Sequence, residues 1–208
     1  MTQQEPPASR FGREDVERVA DECLYDGFFD LYRRQLRYRR FGGGWSETVT
    51  REVHVRHDAV GVLLYDPERD AVVLVEQCRA GALDRPRTPW LIEPVAGLID
   101  SNESPEAVAR REAEEEAGCR VDELIEIQRY FPSPGACSEY VTLYCALVDS
   151  RELGGVHGLD SEHEDILVHV LPFTQAWQLL EEGHLDNAMA LIAMYWLARE
   201  RASLRARR

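Results

Sequence analysis

The sequence lacks an apolar run long enough to cross a bilayer, for which about 20 residues are needed. Its first ten residues, MTQQEPPASR, also lack the apolar core of a signal peptide. Positive charge is scarce, because 24 Lys and Arg face 38 Asp and Glu, giving a formal net charge of -14. These shortages argue against a membrane, and against nucleic acid as the main partner. They predict a cytoplasmic protein.

Cysteine is also sparse, and no two cysteines stand two or three residues apart. The five are Cys23, Cys78, Cys119, Cys137 and Cys145. An odd number without close spacing favours reduced, small buried thiols over a disulfide framework. The same spacing argues against a zinc site and against a cysteine nucleophile.

The chain divides into segments of different character. Residues 1–11 are polar and contain proline, and we expect them to be disordered. Residues 12–55 read as an antiparallel β subdomain with a turn at FGGGW, and it is too small to be stable alone. In residues 56–208, pairs of strands alternate with separate helices, which predicts an α+β (mixed α/β) fold packed in layers.

Several segments of residues 56–208 allow finer predictions. AVGVLLYD at 59–66 and AVVLVEQCR at 71–79 are almost continuously apolar, so both faces of these strands should be buried. The polar segment 150–165 reads as a loop, which at this length is functional or disordered. Thr174 is predicted to cap a helix running through Leu180, and a final helix should be buried until about Leu197.

One segment, GLIDSNESPEAVARREAEEEAGC at 97–119, is unusually acidic. Ser104 suits the N-cap position and Pro105 the first helical position. Gly118 stands where a helix often ends in the left-handed conformation. The segment therefore predicts a helix over residues 105–117.

The acidic face of this helix needs an explanation, because like charges one turn apart repel. Glu112 and Glu116 lie about 40° apart on one face, and Glu115 flanks them. A solvated acidic face is one interpretation. A divalent cation is the better one, because it also accounts for Arg111 inside the cluster and for the glycine before the helix.

The spacing of these residues resembles the Nudix box. Its positions here are Gly97, Glu103, Arg111-Glu112-Ala113, Glu115-Glu116 and Gly118. Cys119 stands where the pattern expects an aliphatic residue, a mild departure because a buried Cys behaves as a small hydrophobe. Further stretches, about Phe11 to Arg199, resemble the bacterial ADP-ribose pyrophosphatase branch: LYDGFF, VTREV, VEQCR, TPWLIEPVAG, SPG with Pro134, VHGL, EHEDI and DNA.

The resemblance implies a Nudix fold, a mixed β-sheet between helices, with an N-terminal β subdomain exchanged across a homodimer that shares its active site. The implied reaction converts ADP-ribose and water to AMP and ribose 5-phosphate. The implied cofactor is Mg²⁺, as two or three ions, with Mn²⁺ as a substitute.

Carried over by position, the resemblance also assigns roles to residues. The implied metal ligands are Glu112, Glu116, Glu164 and the Ala96 carbonyl, with Glu115 as a further candidate. Glu162 matches the general base, and Glu103 and Arg111 a supporting ion pair. The implied substrate contacts are Phe28, Phe29, Arg51, Glu52, Arg79, Ser133 and the backbone near Leu98.

Other interpretations compete with these. Phe28 and Phe29 could be plain core residues, and Arg79 a surface arginine. The substrate could be another nucleoside-diphosphate sugar, or the domain could bind a ligand without catalysis. The arginines between Arg33 and Arg40 form a basic cluster that could bind RNA, although a solvated or dimer-rim strand suits the acidic chain better.

Overall fold

The computed structural model describes residues 9–100 and 102–207, which form two compact units. The first contains the described residues up to Arg56 together with Ser133–Glu139, and the second contains the rest. Of the predicted disordered segment 1–11, residues 1–8 lie outside the described residues. No helix among the described residues is long and apolar enough to cross a membrane.

The first unit is built on a three-stranded antiparallel sheet, formed by β1 (Val16–Tyr25), β2 (Asp30–Tyr38) and β3 (Val49–Val55). Within its described residues, no side chain belongs to a buried core. Six large apolar side chains are exposed there instead: Val16, Val19, Tyr25, Phe28, Tyr38 and Phe41. A sheet of three strands is stable only when its apolar side chains pack on something. The described part of the first unit has no core of its own for this, so another surface is needed to cover them.

The basic cluster lies on β2 and just after it. Its arginines pair with acidic residues, chiefly of β1: Arg33 with Glu22 at 2.9 Å, Arg34 with Asp21 at 3.7 Å, Arg37 with Glu17 at 2.6 Å and Arg39 with Asp15 at 3.9 Å. The two strands are antiparallel with opposite charges facing each other, which favours their pairing. Most of the positive charge that could attract RNA is therefore paired within the sheet.

The second unit contains an eight-stranded mixed sheet and the three α-helices of the described residues. Its elements are β4 (Ala59–Asp66), β5 (Ala71–Cys78), β6 (Trp90–Glu93), β7 (Val95–Leu98), α1 (Pro105–Ala117), β8 (Leu124–Tyr130), β9 (Val141–Leu147), β10 (Gly155–His157), β11 (Ile166–Pro172), α2 (Phe173–Glu181) and α3 (Ala188–Arg205). The order is β10-β11-β5-β4-β9-β8, with β6 beside β5 and β7 beside β4. The β4–β9 pair is parallel and the others are antiparallel.

The two faces of this sheet carry separate apolar cores. On one face, Val60 and Val62 of β4 pack with Val108 and Ala109 of α1. On the other, Leu63 and Tyr65 of the same strand join the core formed by α2 and α3. All eight residues of β4 are buried, as the apolar run predicted. The predicted mixed sheet between helices is confirmed.

Some local predictions were wrong. The segment 150–165 contains strand β10 and a 3₁₀ turn at Asp160–Glu162, so it is not loop throughout. The N-cap of α2 is Pro172, two residues before the predicted cap Thr174, and the helix begins at Phe173. Burial of α3 extends beyond Leu197, because Leu204 is 2% exposed. The five thiols are unpaired, but only Cys119 and Cys145 are buried.

Candidate active site

Helix α1 begins and ends where the sequence predicted. The Ser104 hydroxyl accepts a hydrogen bond from the Ala107 amide, Pro105 is the first helical residue, and Gly118 adopts φ 60° and ψ 23°. The left-handed turn lets the amides of Gly118 and Cys119 reach the carbonyls of Glu114 and Ala113. Both helix ends are thus determined by local residues, and they set which side chains face the sheet.

The apolar stripe of α1 places Glu116 against the sheet. Ala109, Ala113 and Ala117 are fully buried, and such small side chains allow the helix to approach closely. Glu116 is 2% exposed, and its Oε2 accepts a hydrogen bond of 3.0 Å from the Ala96 amide of β7. A buried carboxylate with such a partner is oriented, not free to rotate.

Gly97 makes room for the second carboxylate. A Cβ at this position would overlap the Glu112 side chain, from Cγ to the carboxylate. Strand β7 therefore approaches α1 more closely there than any residue with a side chain would allow. Because Ala96 contacts Glu116 and Gly97 faces Glu112, β7 forms one wall of the carboxylate site.

The ionised forms of both carboxylates, Glu112 and Glu116, are destabilised by their surroundings. Burial raises the pKa of Glu112 to about 7 and that of Glu116 to about 8. The next largest effect on the pKa of Glu112 is the charge of Arg111, which lowers it. The charges of Glu115 and Glu164 raise it. For Glu116 the Ala96 hydrogen bond lowers the pKa, while Glu112 raises it. A positive charge bound beside them would stabilise the ionised forms.

Arg111 supplies part of that charge. It pairs with Glu103 at 3.6 Å, with Glu112 at 2.9 Å and with Glu115 at 2.7 Å. One guanidinium cannot neutralise three carboxylates together with Glu116. The donor set, one buried carboxylate beside partly buried ones, thus fits a hard divalent cation, which prefers carboxylate and carbonyl ligands and retains several waters.

The loop after β10 carries the other predicted acidic residues. Glu164 accepts a hydrogen bond of 3.4 Å from the Leu159 amide, and its charge acts on Glu112 and Glu116. Glu162 ends the turn Asp160–Glu162 and is exposed. In residues 9–100 and 102–207, no three His, Cys, Asp or Glu side chains are grouped closely enough to hold a metal by themselves. A cation at this site would therefore need the main-chain carbonyl and water as further ligands.

The predicted substrate contacts are distributed over both units. In the second, Arg79 donates from Nε to Glu93 at 2.6 Å, and Leu98 pairs with Ala59 across the β4–β7 register. The first unit holds Phe28, Phe29, Arg51, Glu52 and Ser133. There Phe28 is 79% exposed, so it is not packed in a core of its own unit, whereas Phe29 lies under the Arg56 guanidinium at 4.4 Å.

The sequence prediction missed Gln77. This residue of β5 is 8% exposed, and its Nε2 donates to Oε1 of Glu116 at 3.4 Å. The available signal was an amide on the strand face that also carries Val73 and Val75, because a buried polar group needs a partner. The sequence alone could not identify that partner, since Glu116 is 39 positions away.

Comparison with known proteins gives the family. The NUDIX domain family matches residues 55–191 of the 208. The chain belongs to the NUDIX family. The matched residues include the predicted Nudix box, 97–119, which spans the end of β7, α1 and the Gly118 turn. Nudix hydrolases generally use divalent metal ions, in agreement with the donor set of this site.

Individual Nudix relatives extend the similarity to almost the whole chain. An ADP-ribose pyrophosphatase from Haemophilus influenzae is 44% identical over 93% of this chain and 91% of its own length. One from Escherichia coli K12 is 48% identical over 90% of each chain. A GDP-mannose pyrophosphatase from Klebsiella pneumoniae is 33% identical over 88% of this chain and 91% of its own.

A solved structure matches the fold of this chain. The crystal structure of an ADP compounds hydrolase superposes with a TM-score of 0.65, covering 89% of this chain and 96% of that one. Its sequence identity is 18%, so this likeness concerns the fold alone.

Proposed function

We propose that this protein hydrolyses the diphosphate of ADP-ribose to AMP and ribose 5-phosphate. The proposal depends chiefly on the 44% and 48% identity, over at least 90% of the chain, to proteins named ADP-ribose pyrophosphatase. The buried Glu116 and the partly buried Glu112 support it, because a diphosphate brings negative charge that an acidic site can accept only together with cations.

The cation proposed for this site is Mg²⁺, as two or three ions, with Mn²⁺ as a substitute. Its ligands would be Glu112, Glu116, Glu164 and the Ala96 carbonyl, with Glu115 as a further candidate. When bound, such an ion supplies charge neutralisation of the phosphates and a more acidic water. The ion pair of Arg111 with Glu103 then supports the helix that carries these ligands.

Glu162 is the proposed general base. It accepts the proton of the attacking water when the loop brings its carboxylate within hydrogen-bond reach. Its exposed position at the end of a short turn allows that movement, since exposed loop segments rearrange readily. Arg79, close enough to lower the pKa of Glu116, would contact a phosphate, and the Leu98 backbone the substrate.

The proposed assembly is a homodimer in which the first unit is covered by a partner copy. The unpacked sheet and its exposed apolar side chains support it. In this assembly Phe28, Phe29, Arg51, Glu52 and Ser133 would serve as substrate contacts, with the exposed Phe28 ring free to stack on a base.

The second candidate is a different nucleoside-diphosphate sugar. It is favoured by the GDP-mannose pyrophosphatase from Klebsiella pneumoniae, at 33% identity over 88% of this chain. Its lower identity places it behind ADP-ribose. A purely ligand-sensing domain is disfavoured because Glu112, Glu115 and Glu116 are all present.

The proposed activity is tested by a substrate panel with Mg²⁺ in ¹⁸O-labelled water. We expect ADP-ribose to be cleaved faster than GDP-mannose or ADP-glucose, with one ¹⁸O in AMP or in ribose 5-phosphate. The labelled product identifies the phosphorus that is attacked. Faster cleavage of GDP-mannose would change the substrate, and absence of cleavage for every diphosphate would favour a sensing domain.

A further inference from the structure

Gln77 is a buried polar residue whose surroundings require an explanation. The first five residues of β5 are fully or almost fully buried and apolar, and Gln77 follows two positions later at 8% exposure. Burying an amide without a hydrogen-bond partner costs free energy. An apolar side chain of similar length would avoid that cost, so the amide must be retained for its contact.

That contact is with Glu116. Gln77 Nε2 donates to Oε1 of Glu116 at 3.4 Å, while the Ala96 amide donates to Oε2 at 3.0 Å. The donors come from two different strands, β5 and β7, and each holds one oxygen. Rotation of the carboxylate would break at least one of these hydrogen bonds. A carboxylate has about four lone-pair positions, so about two remain for other ligands.

The Gln77 side chain is uncharged as well as long enough to contact Glu116. A Lys or Arg at this position would also donate to Glu116, but its positive charge would compete with a cation for the same carboxylate. An amide orients the carboxylate and leaves its charge available. This combination is typical of the outer residues that orient metal ligands.

We infer that Gln77 is a positioning residue, which together with the Ala96 amide holds the Glu116 carboxylate in one orientation for a divalent cation. The inference rests on the proposed function only in assuming that Glu116 binds such an ion. It does not depend on which diphosphate is cleaved.

The test compares Q77M with V73A in the full-length protein. Methionine retains the length of the side chain but removes the donor. Val73 lies on β5, the strand of Gln77. It is fully buried in the core that also contains Ala113 and Ala117 of α1. V73A should therefore lower stability without touching Glu116. Binding of Mn²⁺ without substrate is followed by the electron paramagnetic resonance signal of the free ion, and stability by thermal unfolding in EDTA.

We expect Q77M to weaken Mn²⁺ binding by about 10–100-fold, the usual effect of removing a residue that orients a metal ligand. V73A should bind Mn²⁺ as the unaltered protein does, even if it unfolds at a lower temperature. In hydrolysis assays, Q77M should need more Mg²⁺ for half-maximal rate, with little change in KM for ADP-ribose at saturating Mg²⁺. If Q77M does not fold, Q77L, which also removes the donor and buries no unpaired amide, takes its place.

Two results would overturn the inference. One is Mn²⁺ binding by the Gln77 variants equal to that of the unaltered protein, with only the unfolding temperature reduced. The other is an unaltered protein that binds no Mn²⁺. If the unaltered protein binds Mn²⁺ but cleaves no ADP-ribose, and Q77M binds it more weakly, the proposed function fails while the inference about Gln77 stands.

Discussion

At the scale of single residues, burial gives each glutamate of α1 a different character. Glu114 is 62% exposed and pairs weakly with Arg120 at 3.9 Å. Glu106 accepts a hydrogen bond from the Tyr144 hydroxyl, and its pKa is lowered, first by its own backbone amide. Glu116 is buried and has a raised pKa. The spacing in the sequence predicted which face of α1 would be acidic. Packing of α1 against the sheet determines which glutamates of that face become buried.

Replacement of Glu162 tests the proposed base. We expect E162Q to retain ADP-ribose binding and to lower kcat by about 10²–10⁴-fold, because a glutamine cannot accept the proton of water. E114Q is the matched control, since Glu114 is an exposed glutamate that should have no part in the reaction. Steady-state kinetics and substrate binding in Ca²⁺ would check this. A near-normal kcat for E162Q would show that another group is the base.

The raised pKa values of Glu112 and Glu116 predict a pH-dependent stability without metal. An unfolded glutamate titrates near 4.5, so between about pH 4.5 and pH 8 the folded state binds more protons than the unfolded state. Stability contributed by these protonated groups is therefore present below pH 4.5 and is lost as the pH rises through about 7 and 8.

Thermal unfolding in EDTA measures this effect. The Tm of the unaltered protein should fall from pH 5.5 to pH 8 relative to that of E116Q, which carries no titrating group at this position. About 2–4 °C is expected for each kcal/mol lost in a chain of this size. Mg²⁺ should raise the Tm at pH 8 in the unaltered protein and much less in E116Q. Parallel curves for the two proteins in EDTA would contradict the assignment of the raised pKa.

At the scale of elements, the close approach of β7 to α1 depends on the absence of a side chain at Gly97. In G97A the new methyl group would displace the Glu112 side chain, which it would overlap. We expect weaker Mn²⁺ binding and a higher Mg²⁺ requirement, with a smaller effect on Tm, because the displaced group is a side chain. G81A is the control, since a Cβ at Gly81 meets no atom within 4 Å. Equal Mn²⁺ affinities for the two variants would refute this account of Gly97.

The elements also show what a sequence can and cannot predict. Helix α1 was predicted at its observed bounds, 105–117, because its cap, its proline and its final glycine act within a few residues. The parallel pairing of β4 with β9, in which Ala59 faces Val141, joins residues 82 positions apart and had no local signal. The contact of Gln77 with Glu116 escaped prediction for the same reason, since the two residues are 39 positions apart. Strand β10 pairs with the nearby β11, but its three residues, GVH, are too few to show an alternating pattern.

At the scale of the whole molecule, the two units differ in how they are stabilised. The second has a core on each face of its sheet, whereas the described part of the first has no buried side chain. The strands of the first unit are instead connected by ion pairs such as Arg37–Glu17. Exposed ion pairs contribute little, about 0–1 kcal/mol each. The apolar side chains left exposed on the first unit therefore predict that another surface covers them.

Solution mass decides whether that surface is a second copy. We expect sedimentation equilibrium to give about twice the chain mass of 23.8 kDa. V19D should shift the protein towards monomer, because it places a charge on an apolar side chain that is 48% exposed in the first unit. V156D is the control, since Val156 is an exposed valine of the second unit, at 67%. A monomeric unaltered protein with full activity would refute the shared dimer, and its sheet would then need a different covering.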